Sequence, residues 1–139
     1  MSDWPDTEGA VRTWLRNQTG VQAVVATRIY FGVPKPTATY PLVTVQRIGG
    51  GPTAGDAPVD AAMLQIDVWG DKHANGNGNK AGCWTVSAAV LAALEVVNDT
   101  LIATSVRAAI NVESVIWAPD PTDDRPRYVI TATGSFWVV

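Results

Sequence analysis

The chain has 139 residues, enough for one hydrophobic core and too few for two. Apolar residues make up 47% and charged residues 17%, which excludes global disorder because the apolar surface suffices to offset chain entropy. The formal net charge of −3 leaves no electrostatic footprint for duplex DNA, so no direct sequence-specific nucleic acid binding is expected.

Residues 4 to 18 pattern as an amphipathic helix, with Asp3 placed to cap it, Pro5 in its first turn, Asp6 and Glu8 near its positive end and Gly20 as its stop. Trp4, Val11, Trp14 and Leu15 gather on one side and Arg12 and Arg16 on the other, and Glu8 is spaced to pair with Arg12. The acids of "MSDWPDTEGAV" stand where a signal peptide would carry a basic end and an apolar run, which points to synthesis and residence in the cytoplasm.

"TRIYFGVP" at 27 to 34 is a short β-prone run closed by Pro34 and Pro36, suited to a loop or a sheet edge. "PLVTVQRIG" at 41 to 49 reads as the next strand and "AAMLQIDVWG" at 61 to 70 as a third. The third alternates cleanly, with Leu64, Ile66 and Val68 on one face and Gln65, Asp67 and Trp69 on the other. Trp69 therefore places an apolar ring on a polar face, as an interface anchor or as a side chain packed beneath a neighbouring loop. Between these strands, residues 49 to 60 read as a slack acidic loop with Gly49, Gly50 and Gly51 at its start and Asp56 and Asp60 further on.

"GDKHANGNGNKAG" at 70 to 82 is too rich in Gly and Asn for regular structure and leads into a second helix over 83 to 99. There Cys83, Val86, Val90, Leu94 and Val97 fall on one stripe, with Leu91 at its edge. The back of this helix, Thr85, Ala89, Ala92 and Glu95, is smooth enough to face water or a neighbouring subunit. Its apolar run "AAVLAAL" falls far short of the roughly 20 residues that cross a bilayer, so no membrane span is expected. "SVRAAINVESVIWAP" at 105 to 119 and "RYVITATGSFWVV" at 127 to 139 form a terminal hairpin across the acidic loop "DPTDDRP". The order is α-β-β-β-α-β-β. One α+β domain over residues 1 to 139 follows, with a mostly antiparallel or mixed sheet and both helices on one face.

Motifs for chemistry are sparse. His73 is the sole histidine and lies among Asp71, Lys72 and Asn75, which offers neither a zinc cluster nor a second imidazole. "GNGNKAG" at 76 to 82 misses the spacing and the G-K-[ST] step of a phosphate loop, and "IGGG" at 48 to 51 runs into Pro52 instead of a helix. Asp56, Asp60, Asp120, Asp123 and Asp124 read as solvated loop acids, and "DPTDD" lacks the glutamate of an EF-hand. Cys83, the only cysteine, reads as a small buried filler. No cofactor, metal or catalytic residue is assigned.

The ordered combination of "WPDTEGAVRTWL", "YPLVTVQRIGGG", "DAAMLQIDVWGD", an alanine-rich helix and a strand ending "RYVITATGSFWV" resembles the tail-terminator, or tail-completion, family of bacteriophages with long non-contractile tails. Structural relatives of that family include the minor tail protein U of phage lambda. The resemblance spans nearly the whole chain and departs from the family pattern in the Asn/Gly insertion at 74 to 79. It implies a structural protein, made in the host cytoplasm and carried at the head-proximal end of the virion tail. It also implies a ring, typically hexameric, that halts tube polymerisation and presents the head-joining surface. The partners so implied are other copies of the chain, the tail tube protein and a head-completion or neck protein.

Two sets of interface residues follow as expectations. One is the sheet face carrying Arg47, Gln65, Asp67 and Trp69; the other is the loop residues Gly49, Gly50, Gly51, Asp56, Asp60 and Asp71. The loops at 32 to 41, 49 to 60, 70 to 82 and 119 to 127 are candidates for tube-facing and head-facing contacts. The alternatives are a neck connector and, from another class, a small α+β enzyme or ligand-binding protein, which would need an apolar pocket with convergent polar groups.

Overall fold

A computed structural model describes residues 4–53 and 58–139. The chain begins with two helices, α1 (Thr7–Arg16) and α2 (Thr19–Val25), followed by strands β1 (Ile29–Phe31), β2 (Leu42–Pro52) and β3 (Val59–Trp69). Helix α3 (Lys80–Glu95) then leads to β4 (Thr100–Ala103), β5 (Val106–Trp117) and β6 (Arg127–Val138). The six strands make one sheet in the order β1-β2-β3-β6-β5-β4. Its neighbours are antiparallel except β1 and β2, which are parallel.

The α+β class and the terminal β5–β6 hairpin agree with the sequence pattern, while a helix and a strand are added to the expected order. Gly20 does not stop the helical region; it lies in the first turn of α2, which opens at Thr19. The cap of α1 is Asp6, whose carboxylate accepts from the Gly9 N–H at 3.1 Å, and Trp4 is exposed ahead of it. Asp3 lies outside the described residues. Glu8 does not bond Arg12: its carboxylate accepts the Arg47 N–H at 3.0 Å, while Arg12 donates to the Ile29 carbonyl at 2.8 Å.

One face of the sheet is covered by helices. Val43, Val45, Leu64, Ile66, Ile130 and Phe136 are fully buried against Val11 and Leu15 of α1, Val21 and Val25 of α2, and Val90 and Leu94 of α3, in one continuous core. Helix α1 packs against both β1 and β4, the two edge strands, so it spans the opening of the curled sheet. The indole N–H of Trp14 in α1 donates to the Ala93 carbonyl of α3 at 2.8 Å and fixes the two helices to each other.

Residues 49 to 52 are not slack. Strands β2 and β3 stay paired as far as Pro52 opposite Asp60, so Gly49, Gly50 and Gly51 belong to the ladder. The register shifts between Arg47 and Gly49, and Gly50 follows with φ of +88°. A Cβ on Gly50 would also lie 2.0 Å from the Ala61 carbonyl oxygen, so bulge geometry and close strand approach both require the glycine.

Ile66→Ala should lower the unfolding free energy by about 2–5 kcal/mol in urea titration. Val33→Ala, at a position 84% exposed, should stay within about 0.5 kcal/mol of the parent.

Candidate functional site

The strand register separates the residues that the sequence grouped on one polar face. In β2 and β3, Gln46 stands opposite Gln65 and Thr44 opposite Asp67, whereas Arg47 stands opposite Leu64 on the helix-covered side. Cross-strand partners share a face, so Arg47 lies on the other side of the sheet from Gln65, Asp67 and Trp69.

Arg47 instead forms a paired carboxylate site with Asp60. Its two terminal nitrogens reach both Asp60 oxygens, one of them at 2.6 Å, and the Thr7 hydroxyl donates to the same carboxylate. Asp60 is buried, and the Arg47 guanidinium holds its carboxyl below the usual aspartate range against the opposing effect of burial. Arg47 and Asp60 thereby anchor α1 on β2 and β3.

Across the sheet, Trp69 is only 7% exposed, and its indole N–H donates to the Thr44 hydroxyl at 3.0 Å. The Arg127 guanidinium lies 4.9 Å from the centre of the Trp69 ring and 3.7 Å from the Asp67 carboxylate, which also accepts from the Gln65 amide. Burial raises the Asp67 carboxyl above its ordinary value, with Gln65 and Arg127 opposing. Trp69 therefore packs within the subunit, with Leu42 fully buried opposite it. Gly49, Gly51 and Gln65 remain half-buried and Gly50 exposed, while Asp56 lies outside the described residues.

Three of the candidate loops gather at one end of the sheet around Arg125. Its guanidinium lies 3.6 Å from the centre of the Tyr40 ring, donates to the Gly70 carbonyl at 3.1 Å, and approaches Asp71 at 3.9 Å and Asp123 at 3.5 Å. The Gly70 N–H donates to the Pro126 carbonyl, and Lys72 lies 3.7 Å from Asp123. The Asn/Gly segment is itself organised by a bridge between Lys72 and Gly78 and by the Asn79 cap of α3. Exposed Asp71 thus belongs to a rim that ties the segments 32–41, 70–79 and 118–126 together, and the Pro52–Asp60 end of the β2–β3 ladder lies at the opposite end of the strands.

The exposed apolar surface lies elsewhere, at residues the sequence reading did not single out. Trp84 of α3 is 45% exposed and Trp117 at the end of β5 is 36% exposed. Both rings pack on Tyr128, with centroids 5.2 and 5.0 Å away, and Lys80 sits over Trp117. The edge of β5 beside them is largely open. Strand β4 pairs only with Val106, Arg107 and Ala108, and further along the Ile110 N–H donates to the Val97 carbonyl at 3.0 Å. At the other end of the strand order, Tyr30, Phe31 and Val33 are exposed around a cleft of about 300 Å3 that also includes Pro34 and Lys35.

A depression of about 750 Å3 is a shallow hollow over small side chains such as Ala61, Ala109 and Ser135. Among the described residues no three His, Cys, Asp or Glu side chains are grouped to hold a metal ion. Cys83 is buried, and burial pushes its thiol up to about 11, which suits the packing role expected of it.

The profile of the family described as Tail completion protein gp17 matches residues 9–131. A chain of the solved structure "Virion of native gene transfer agent (GTA) particle" superposes with a TM-score of 0.64 at 19% identity, over 93% of this chain and 92% of that one, a likeness of fold. No curated protein matches the chain.

The two buried acids should respond oppositely to pH. Asp60, depressed in the folded state, adds stability that is complete above the unfolded value of about 3.9 and is lost as pH falls through its lower folded value. Asp67, raised in the folded state, binds its proton there first, so acidification through its folded value favours folding. In urea titrations, Asp60→Asn should lose about 1.5–3 kcal/mol at pH 7 and flatten the fall in stability below about pH 4. Asp67→Asn should abolish the gain that the parent shows on mild acidification.

Proposed function

The chain belongs to the tail completion protein gp17 family, and on that premise we propose that it forms a ring on the finished end of a tail tube. There it stops further addition of tube subunits and offers the surface that joins the head. Membership of a structural tail family carries the reading.

The geometry is compatible with it in two respects. Exposed apolar side chains lie at different places in the strand order, beside β1 and beside β5, as a head-to-tail contact between copies needs. The Arg125 rim and the Pro52–Asp60 end of the β2–β3 ladder occupy opposite ends of the subunit, so a ring would present one to the tube and the other to the neck or head-completion protein.

Particles produced without this chain should carry tubes of excess length, or finished tubes that fail to join heads, in negative-stain micrographs. Supplying the chain in trans should restore joined particles. Normal tails that join heads in its absence would contradict the proposal, and recovery of the chain only with DNA-filled heads would move it to the neck.

A further inference from the structure

Two of the exposed apolar surfaces differ in form and in the charges beside them. Beside β1, the cleft formed by Tyr30, Phe31, Val33 and Pro34 is apolar and open to solvent. Cations surround it: Arg12 lies 4.8 Å from the centre of the Phe31 ring, and Arg12 and Arg16 both donate to the Ile29 carbonyl. Lys35 lines the cleft, and Arg28 donates to the Pro41 carbonyl. Among the described residues, none of these four cations takes part in an ion pair. Arg16 has in addition a buried Nε without a hydrogen-bond partner, and its pKa is lowered by burial and by Arg12 beside it.

The α3–β5 side shows the converse. Trp84 projects with almost half its surface exposed, and Ile116 and Trp117 are exposed at the end of β5. Glu95, the last residue of α3, and Asp120 and Asp124, which follow β5, take part in no ion pair among the described residues. One surface thus offers an aromatic anchor with Lys80 and three unpaired acids on its side, and the other an apolar cleft whose neighbouring charges are unpaired cations.

We propose that Trp84 of one copy seats in the β1 cleft of a second copy, with Trp117 and the open edge of β5 lying along its rim. An indole in this position is desolvated by Tyr30, Phe31 and Val33, and the neighbouring guanidinium and ammonium groups meet the face of its ring. Because the two surfaces differ, the contact is heterologous and repeats from copy to copy, which is the geometry a closed ring requires. The opposite charges set the pairing direction and disfavour cleft against cleft and anchor against anchor. This inference rests on the ring reading and names the contact that builds the ring.

The test replaces Trp84 with a photo-reactive benzophenone side chain in the full chain, incorporates it into assembled tails and maps the cross-linked peptides by mass spectrometry. A cross-link to residues 30–38 of a second copy is expected. A cross-link to another protein, or to another part of the second copy, or none at all, would overturn the proposal. In parallel, Trp84→Ala should weaken incorporation into tails by about 30-fold, the scale of a hot-spot truncation. Trp4→Ala, at another exposed tryptophan, should not. Unchanged thermal midpoints for both variants exclude misfolding as the cause. The mass of isolated tail ends distinguishes the two readings: a single copy per tail end defeats the ring itself, whereas several copies without the 30–38 cross-link defeat only this contact.

Discussion

The packing of α1 across both edge strands is the constraint on which the rest of the structure depends. A sheet with one apolar face must cover that face, and a curled sheet must also fill the gap between its edges. Val11 and Leu15 of α1 supply the apolar filling, and they are wholly buried. The polar residues of α1 then fix its position. Thr7 reaches Asp60, Glu8 takes the Arg47 N–H, Arg12 and Arg16 hold the Ile29 carbonyl, and Trp14 reaches across to α3. Without this helix the ends of β1 and β4 would lose their common neighbour, and the core face of the sheet would open to water.

That arrangement consumes the polar groups a reader of the sequence would assign to partners. Arg47 and Asp60 hold α1, while Asp67, Gln65 and Arg127 surround Trp69. Arg125 gathers three loops into a fixed rim. The side chains left over are of another kind: apolar rings beside β1 and beside β5, with cations near the first set and both Lys80 and acids near the second.

The alternation of Leu64, Ile66 and Val68 made β3 and its buried face legible from sequence, as did the 3.6-residue stripe of Cys83, Val86, Val90 and Leu94 for α3. Cross-strand register was not legible, because it depends on which β2 residue meets Gln65, and the answer is Gln46. The glycine run read as a slack loop since flexibility and close strand approach both select glycine, and only the ladder tells them apart. Composition signalled surplus tryptophan, but Trp69 attracted notice because it broke an alternation. Trp84 gave the available clue by lying off the apolar stripe of its helix, and Trp117 owes its neighbours to the β5–β6 pairing with Tyr128. The short α2 and β4, of 7 and 4 residues, carry too little periodicity to stand out and are fixed by tertiary packing.

The most direct test is a cryo-electron-microscopy reconstruction of the head-proximal end of intact particles. The account predicts a closed ring of copies of this chain between the last layer of tube subunits and the neck, with neighbouring copies meeting through the β1 side of one and the α3–β5 side of the next. A single copy at that position, or density for the chain within the tube or the head shell alone, would contradict it.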